Sequence, residues 1–320
     1  MTQQTPSPGR RPGVLAVHSV DQIVISVPEL EPAVAFFTAF GLDVRRHGQE
    51  LTLHTHGNPH AWMRVVANGQ PKRLQYLRLG IYPEDESAFR ERIAQGGTAC
   101  APSPLGSSEG LWLQSPDGTP LQLVVADKVS PSAPTTAGPD RGLARDPAAA
   151  PTRSQATNVR PRGLSHVLVF TPDVSRLVDF CNAQLGLRLS DRSGDLVAFM
   201  HTPHGSDHHL LACVKSDAPG LHHTSWDVGS LDEVGEASEQ MRKAGFADGW
   251  GVGRHVLGSN YFYYARDPWG SFAEFSAGID FAPPTQDWVP ADHAPEDSFY
   301  LWGPAVPEWF VINTEAAPPG

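Results

Sequence analysis

The feature that most constrains this chain is that it repeats itself. VDQIVISVPELEPAVAFFTAFGLDV (20–44) parallels LSHVLVFTPDVSRLVDFCNAQLGLRL (164–189): an apolar strand, a proline turn, an amphipathic helix ending at a Gly-Leu stop, and a second strand. RLQYLRLGIYPEDESAFRERIAQGG (73–97) parallels GLHHTSWDVGSLDEVGEASEQMRKAG (220–245): a strand, then a helix with acidic residues at its start and glycine at its end. SPDGTPLQLVV (115–125) parallels DPWGSFAEFSA (267–277), each a turn entering a strand. A unit that recurs in this way is one supersecondary structure, stabilised by burying its apolar face against its copies. Each half holds two strand–helix–strands units, which predicts an α+β chain of four βαβββ modules in two repeated domains. Each domain is then a curled mixed sheet with outer helices, and a curled sheet must enclose side chains or a ligand.

The text around the repeats sets the expected boundaries. Residues 1–15 are rich in Pro, Gln and Arg and predict an unstructured N-terminus. A first domain over 16–126 is followed by a Pro/Ala-rich linker, 127–161, and a second domain over 162–281. The tail, 282–320, carries FYLWGPAVPEWFV, too aromatic to stay solvated, and is expected to pack back on the domains. A formal net charge of −11 argues against nucleic acid and anionic membrane surfaces as partners. No apolar run of about 20 residues appears, no secretory leader is visible, and the three cysteines are scattered; together these predict a cytoplasmic protein.

Fourteen histidines are unevenly placed, and eight of them (166, 201, 204, 208, 209, 222, 223 and 255) fall between residues 166 and 255. Aligning the halves isolates the ones that matter. His166 faces Gln22, His223 faces Tyr76, and Glu274 faces Gln122, so three metal-ligating side chains of the second half meet three poor ligands in the first. Two imidazoles and one carboxylate on separate strands make up a facial triad, which leaves coordination positions open and suits Fe(II) or Mn(II) in oxygen chemistry. In the His222–His223 pair, strand alternation predicts that only one ring faces inward. His201 and His204 read as exposed loop residues.

The second half resembles the type I extradiol ring-cleavage dioxygenases of the vicinal oxygen chelate superfamily. The matching text is GLSHVLVF (163–170), DHHLLA (207–212), GLHHTSWDV (220–228) and GRHVLGSNYFYYARDPWGSFAEF (253–275). In the last block a His is followed nine residues on by Tyr, then by Asp-Pro-x-Gly, then by Glu ten residues after the Tyr. The resemblance runs over about 18–310, with an inert first repeat and an active second one. It implies the glyoxalase-like fold, with His166, His223 and Glu274 as metal ligands. It further implies His209 as the acid–base histidine, His255 as the histidine that hydrogen-bonds a substrate hydroxyl, and Tyr264 beside the ionised diol oxygen. The implied cofactor is Fe(II), with Mn(II) as the alternative, and dioxygen is the co-substrate. The implied reaction opens a catechol ring beside the diol and gives a 2-hydroxymuconic-semialdehyde-type acid in aromatic degradation. A homo-oligomer is implied as well.

The substrate reading rests on fewer residues. Trp250 stands where homoprotocatechuate enzymes carry an arginine, which weakens a carboxylated substrate. Trp250, Phe199 and Trp226 favour catechol or an alkyl, chloro or aryl catechol, and Arg254 is the residue that could pair with an anionic group. The competing readings are a carboxylated-catechol dioxygenase, a glyoxalase-like enzyme and a ligand-sequestering binding protein. The last two do not need the set His209, His255 and Tyr264.

Overall fold

The computed structural model describes residues 7, 9–135 and 152–316. Module one is β1 (Ser19–Val27), α1 (Glu31–Ala39), β2 (Asp43–His47), β3 (Glu50–His54) and β4 (Met63–Ala67). Module two is β5 (Arg73–Ile81), α2 (Glu86–Gly96), β6 (Leu111–Gln114) and β7 (Pro120–Val125). Its remaining strand is reduced to a single bridge, Ala99 to Leu113. Module three is β8 (Gly163–Thr171), α3 (Val174–Phe180), β9 (Arg188–Ser193), β10 (Val197–His201), a short β11 (Ser206–Asp207) and β12 (Leu211–Lys215). Module four is β13 (Gly220–Asp227), α4 (Leu231–Lys243), β14 (Gly249–His255), β15 (Tyr261–Arg266) and β16 (Phe272–Ala277). The tail adds β17 (Phe281–Ala282), β18 (Ala291–Asp292), α5 (Pro295–Ser298) and β19 (Tyr300–Trp302).

The first half forms a seven-stranded mixed sheet, β2-β3-β4-β1-β5-β7-β6. The second forms a ten-stranded one, β18-β9-β10-β12-β8-β13-β16-β15-β14-β19. In modules one, three and four the first strand pairs parallel with the last, and the two middle strands continue outward. Joining modules antiparallel, β1 to β5 and β8 to β13, places the first strands of both modules at the centre of each curled sheet. Local chemistry agrees with this plan. Ser230 caps α4 by accepting from the Glu233 amide at 3.2 Å, acidic residues occupy its first turn, and Arg242 and Lys243 its last.

The Gly-Leu stops of the repeat do more than end helices. Gly41 and Gly186 both adopt left-handed backbone, at φ 94° and 73°. A Cβ on Gly41 would sit 2.2 Å from the Val159 carbonyl oxygen, and one on Gly186 would sit 2.2 Å from that of Leu15. The segment leading into each half thus lies against the helix stop of the other, and only glycine admits both the conformation and the contact. Phe40 of the first half stacks on Phe275 of the second with ring centroids 3.8 Å apart, and Phe36 meets Phe246 edge-on at 5.1 Å. One continuous apolar core therefore runs through both halves.

Two boundary expectations are narrowed by these contacts. Within the N-terminal stretch, Arg10 makes paired hydrogen bonds to Asp85 at 2.6 and 3.1 Å, and Leu15 packs as described, so these residues are held against the fold. The first residues of the expected linker are also fixed, since the Ser130 amide donates to Ser19 Oγ at 3.0 Å. Residues 1–6 and 8 of the N-terminal reading, 136–151 of the linker reading and 317–320 of the tail lie outside the described residues. Among the described residues no helix is long and apolar enough to cross a membrane.

Candidate active site and metal centre

Three adjacent strands of the second sheet, β8, β13 and β16, carry His166, His223 and Glu274. Ser225 on the middle strand is in register with both His166 and Glu274, so side chains pointing to the concave face converge. His166 Nε2 lies 3.3 Å from His223 Nε2 and 3.3 Å from Glu274 Oε2, and His223 Nε2 lies 3.5 Å from the same oxygen. All three residues are buried, and Glu274 Oε2 has no hydrogen-bond partner. A point midway among three atoms so spaced is about 2 Å from each, the bond length of a divalent ion to nitrogen and oxygen. A buried, unpartnered carboxylate oxygen facing two imidazole nitrogens fits a divalent metal.

Each candidate ligand is aimed by a second group. Ser165 Oγ donates to Asp207 Oδ2 at 2.6 Å and accepts from His166 Nδ1 at 3.2 Å, leaving the His166 Nε2 lone pair free. Burial pushes the Asp207 carboxyl up to about 6. His223 is held through a second imidazole. His222 Nε2 donates to the Phe310 carbonyl at 2.9 Å, so its Nδ1 accepts from His223 Nδ1 at 2.7 Å, and His223 Nε2 again keeps its lone pair. Asn260 Nδ2 donates to Glu274 Oε1 at 3.0 Å and turns the other oxygen to the centre.

The expected His209, His255 and Tyr264 line a cavity of about 400 Å³. His209, from the segment between β11 and β12, packs on His166 with ring centroids 3.9 Å apart. Opposite, His255 Nδ1 donates to the Phe299 carbonyl at 2.8 Å, and its Nε2 accepts from the Tyr264 hydroxyl at 2.9 Å. Burial, and then the nearby Glu274 charge, holds the Tyr264 phenol well above its ordinary pKa, so it stays protonated and can donate. Burial, then the neighbouring imidazoles, drives His209 and His223 well below theirs, and burial lowers His255 despite Glu274. These rings are neutral, the state a metal ligand requires. Burial works to raise the Glu274 carboxyl, but the contact with His166 outweighs it and holds the group below its ordinary pKa.

Of the four residues expected to contact substrate, Phe199 lines the cavity and meets His209 edge-on at 4.8 Å. The other three are corrected. Trp226 is fully buried on the opposite face of β13, against Phe40 of the first half. Trp250 lies one layer behind the wall, stacked on Tyr264 at 5.5 Å, with its indole N–H donating to the Pro304 carbonyl. Arg254 lies over the Tyr261 ring at 4.9 Å and donates to the Ser259 carbonyl, away from the cavity.

Three histidine expectations also change. His222 lines the cavity beside His223, because the β13–β8 register shifts between Leu221 and His223 and a bulge suspends alternation there. His201 and His204 are buried rather than exposed; the first contacts Ser190 Oγ at 2.8 Å and the second accepts from the Arg11 amide at 3.0 Å. Sequence reasoning missed Asn260, Ser165 and the tail residues Phe299 and Phe310. Asn260 stands four residues before Tyr264 in the most specific motif, where its position was a usable signal.

In the first half the equivalent face is filled. Tyr76 packs on Trp112 at 5.0 Å with Cys100 and Leu105 against them. Gln22 donates to the Ala61 carbonyl at 2.9 Å and Gln122 to that of Glu109 at 3.0 Å.

A model of the Glyoxalase/Bleomycin resistance protein/Dioxygenase superfamily matches residues 163–275. Metapyrocatechase 2 of Cupriavidus necator is 48% identical over 316 residues, 98% of each chain. The manganese-dependent 2,3-dihydroxybiphenyl 1,2-dioxygenase of Geobacillus genomosp. 3 is 23% identical, over 89% of this chain and 93% of its own. The crystal structure of the E323L mutant of homoprotocatechuate 2,3-dioxygenase from Brevibacterium fuscum superposes with a TM-score of 0.72 at 18% identity, covering 94% of this chain and 83% of that one. The chain belongs to the extradiol ring-cleavage dioxygenases of this superfamily.

Proposed function

We propose that the protein cleaves a catechol ring beside its diol, using O2 and a divalent metal held by His166, His223 and Glu274. The observation that carries this reading is the buried triangle of two imidazole nitrogens and one unpartnered carboxylate oxygen, 3.3–3.5 Å on a side, within a cavity flanked by His209, His255 and Tyr264. A bound divalent ion supplies one centre where both diol oxygens and O2 meet, and it lowers the diol's pKa. Fe(II) is our assignment, and the manganese-dependent relative keeps Mn(II) as the alternative. A cytoplasmic homo-oligomer is part of the same reading.

The chain's own groups do the rest. Without substrate the Tyr264 proton goes to His255 Nε2; a bound diol would replace that bond, taking the Tyr264 proton at its ionised oxygen and giving its remaining hydroxyl proton to His255 Nε2, so its two ends meet unlike partners. His209, packed on His166 at the other wall, would be the residue that accepts and returns a proton beside the metal. Phe199, Leu168, Leu257, Phe299 and Phe310 form apolar walls that exclude water. Those walls, with Arg254 turned away, favour alkyl, chloro or aryl catechols over carboxylated ones.

The test is anaerobic reconstitution with Fe(II), Mn(II) or Zn(II), followed by an oxygen electrode and a panel of catechols. The reading expects O2 uptake and a yellow product with Fe(II) or Mn(II). It also expects kcat/KM for alkyl or aryl catechols at least about 100-fold above that for carboxylated ones. Metal binding without O2 uptake on any catechol would overturn it in favour of a glyoxalase-like enzyme or a binding protein.

A further inference from the structure

His209 is not held by backbone. Its Nδ1 lies 3.0 Å from Nδ1 of His208, a buried ring that turns its own Nε2 to Asp191 Oδ2 at 2.8 Å. Asp191 is fixed in turn: Oδ1 accepts from the Ala291 amide at 3.0 Å and contacts His293 Nε2 at 3.0 Å. The tail strand β18 brings these two residues over, pairing parallel to β9 with Ala291 opposite Asp191. Trp288 and Phe199 close on His208, with ring centroids at 5.1 and 5.9 Å. Neither His208 nor Asp191 touches the three candidate ligands, and the reaction outlined above does not use them.

Two ring nitrogens that face each other can share one proton, so the direction of their bond is set from the far end. A carboxylate only accepts. The Nε2 proton of His208 therefore belongs on the Asp191 side, its Nδ1 is left as an acceptor, and the Nδ1 proton of His209 fills that contact. We propose that Asp191 and His208 form a positioning relay that holds His209 in the tautomer protonated on Nδ1 and unprotonated on Nε2. The relay rests on the acid–base reading of His209 for its purpose, not for its existence.

The test is Asp191→Asn. The Ala291 amide still requires an acceptor, so the new carbonyl oxygen takes the Oδ1 place and the NH2 group faces His208. Every bond then reverses: His208 accepts on Nε2 and donates from Nδ1, and the His209 proton moves to Nε2. In the serine-protease triad the same exchange leaves histidine in the wrong tautomer and lowers kcat by about 10⁴. The readout is the ¹⁵N spectrum of histidine-labelled full-length protein loaded with diamagnetic Zn(II), with His209 assigned from H209N.

The expected result is Nδ1–H for His209 in the wild type, Nε2–H in D191N, and the wild-type pattern in D191E. Nε2–H in the wild type, or Nδ1–H persisting in D191N, overturns the relay. If D191N does not fold, the wild-type and D191E spectra decide by the same criterion. Turnover tests the other half. A kcat loss of at least about 100-fold at nearly constant KM supports the acid–base reading. A tautomer switch with unchanged kcat sustains the relay and overturns that reading of His209.

Discussion

Glu274 divides one carboxylate between two tasks. Oε1 is bound by Asn260 and Oε2 faces the two imidazoles. Replacing it by glutamine removes the charge and leaves either an amide carbonyl or an NH2 group at the centre. E274Q is expected to lose metal, below about a tenth of the wild-type content by elemental analysis, while far-UV circular dichroism stays unchanged. N260A keeps all three candidate ligands and loses only the group that aims one of them, so metal affinity falls by about 10–100-fold in a competition titration. His201 makes a separate prediction. Burial pushes its pKa down to about 4, so the folded state resists the proton that the unfolded state takes up near 6.5. The stability owed to its neutral form is present above pH 6.5 and is lost as pH falls toward 4. The stability difference between wild type and H201N is therefore expected to shrink, by up to about 3 kcal/mol, between urea melts at pH 7 and pH 4. A constant difference would refute this. At this scale the repeat made the three candidate ligands legible, because each had an inert counterpart to stand against. The bulge at His222 was not legible, since alternation is a rule of regular strands and one extra residue suspends it.

The tail elements act on the site from outside the repeat. Phe299 and Phe310 lend carbonyls to His255 and His222, and Glu315 ties the tail down. Glu315 accepts from Lys72 Nζ at 2.6 Å, from the Leu74 amide at 2.7 Å and from the Leu221 amide at 3.1 Å, so it binds β5 of the first half and β13 of the second at once. Lys72 and Glu315 are both buried, and breaking such a pair by removing one charge costs about 3–5 kcal/mol. E315Q is expected to lower the denaturation midpoint accordingly and to loosen metal binding with it; a loss under about 1 kcal/mol would contradict the account. Strand and helix periodicity say nothing about such a segment. The aromatic content of 299–311 marked it as packed, but which carbonyls it would deliver depends on register with β14, a tertiary contact. Trp250, Trp226 and Arg254 were misread for the same reason: residue type announces burial or charge, while the face a side chain takes is decided by the sheet.

Across the whole molecule the two halves are chemically unequal and mechanically one. Q122A sits in the filled face of the first half and is expected to leave turnover within about twofold of wild type, whereas E274Q abolishes it; equal losses would refute the single-centre arrangement. Because Phe40 stacks on Phe275 within a shared core, metal bound in the second half should raise the melting temperature of the entire chain as one transition. Two transitions in calorimetry, with only one moved by metal, would separate the halves. The duplication was readable from text because it preserves turn and helix-stop residues, while the closing of the first half by Trp112 was not, since no spacing rule marks a plug.

The acceptor that orders His223 has a consequence for synthesis. The candidate ligands leave the ribosome in the order 166, 223, 274, yet the Phe310 carbonyl that fixes the tautomer of His223 through His222 arrives last. A nascent chain paused just beyond Glu274 holds every donor atom with one imidazole still free to exchange its proton between nitrogens. Truncation before residue 310 would therefore keep all three candidate ligands in the chain while removing the acceptor that orders one of them.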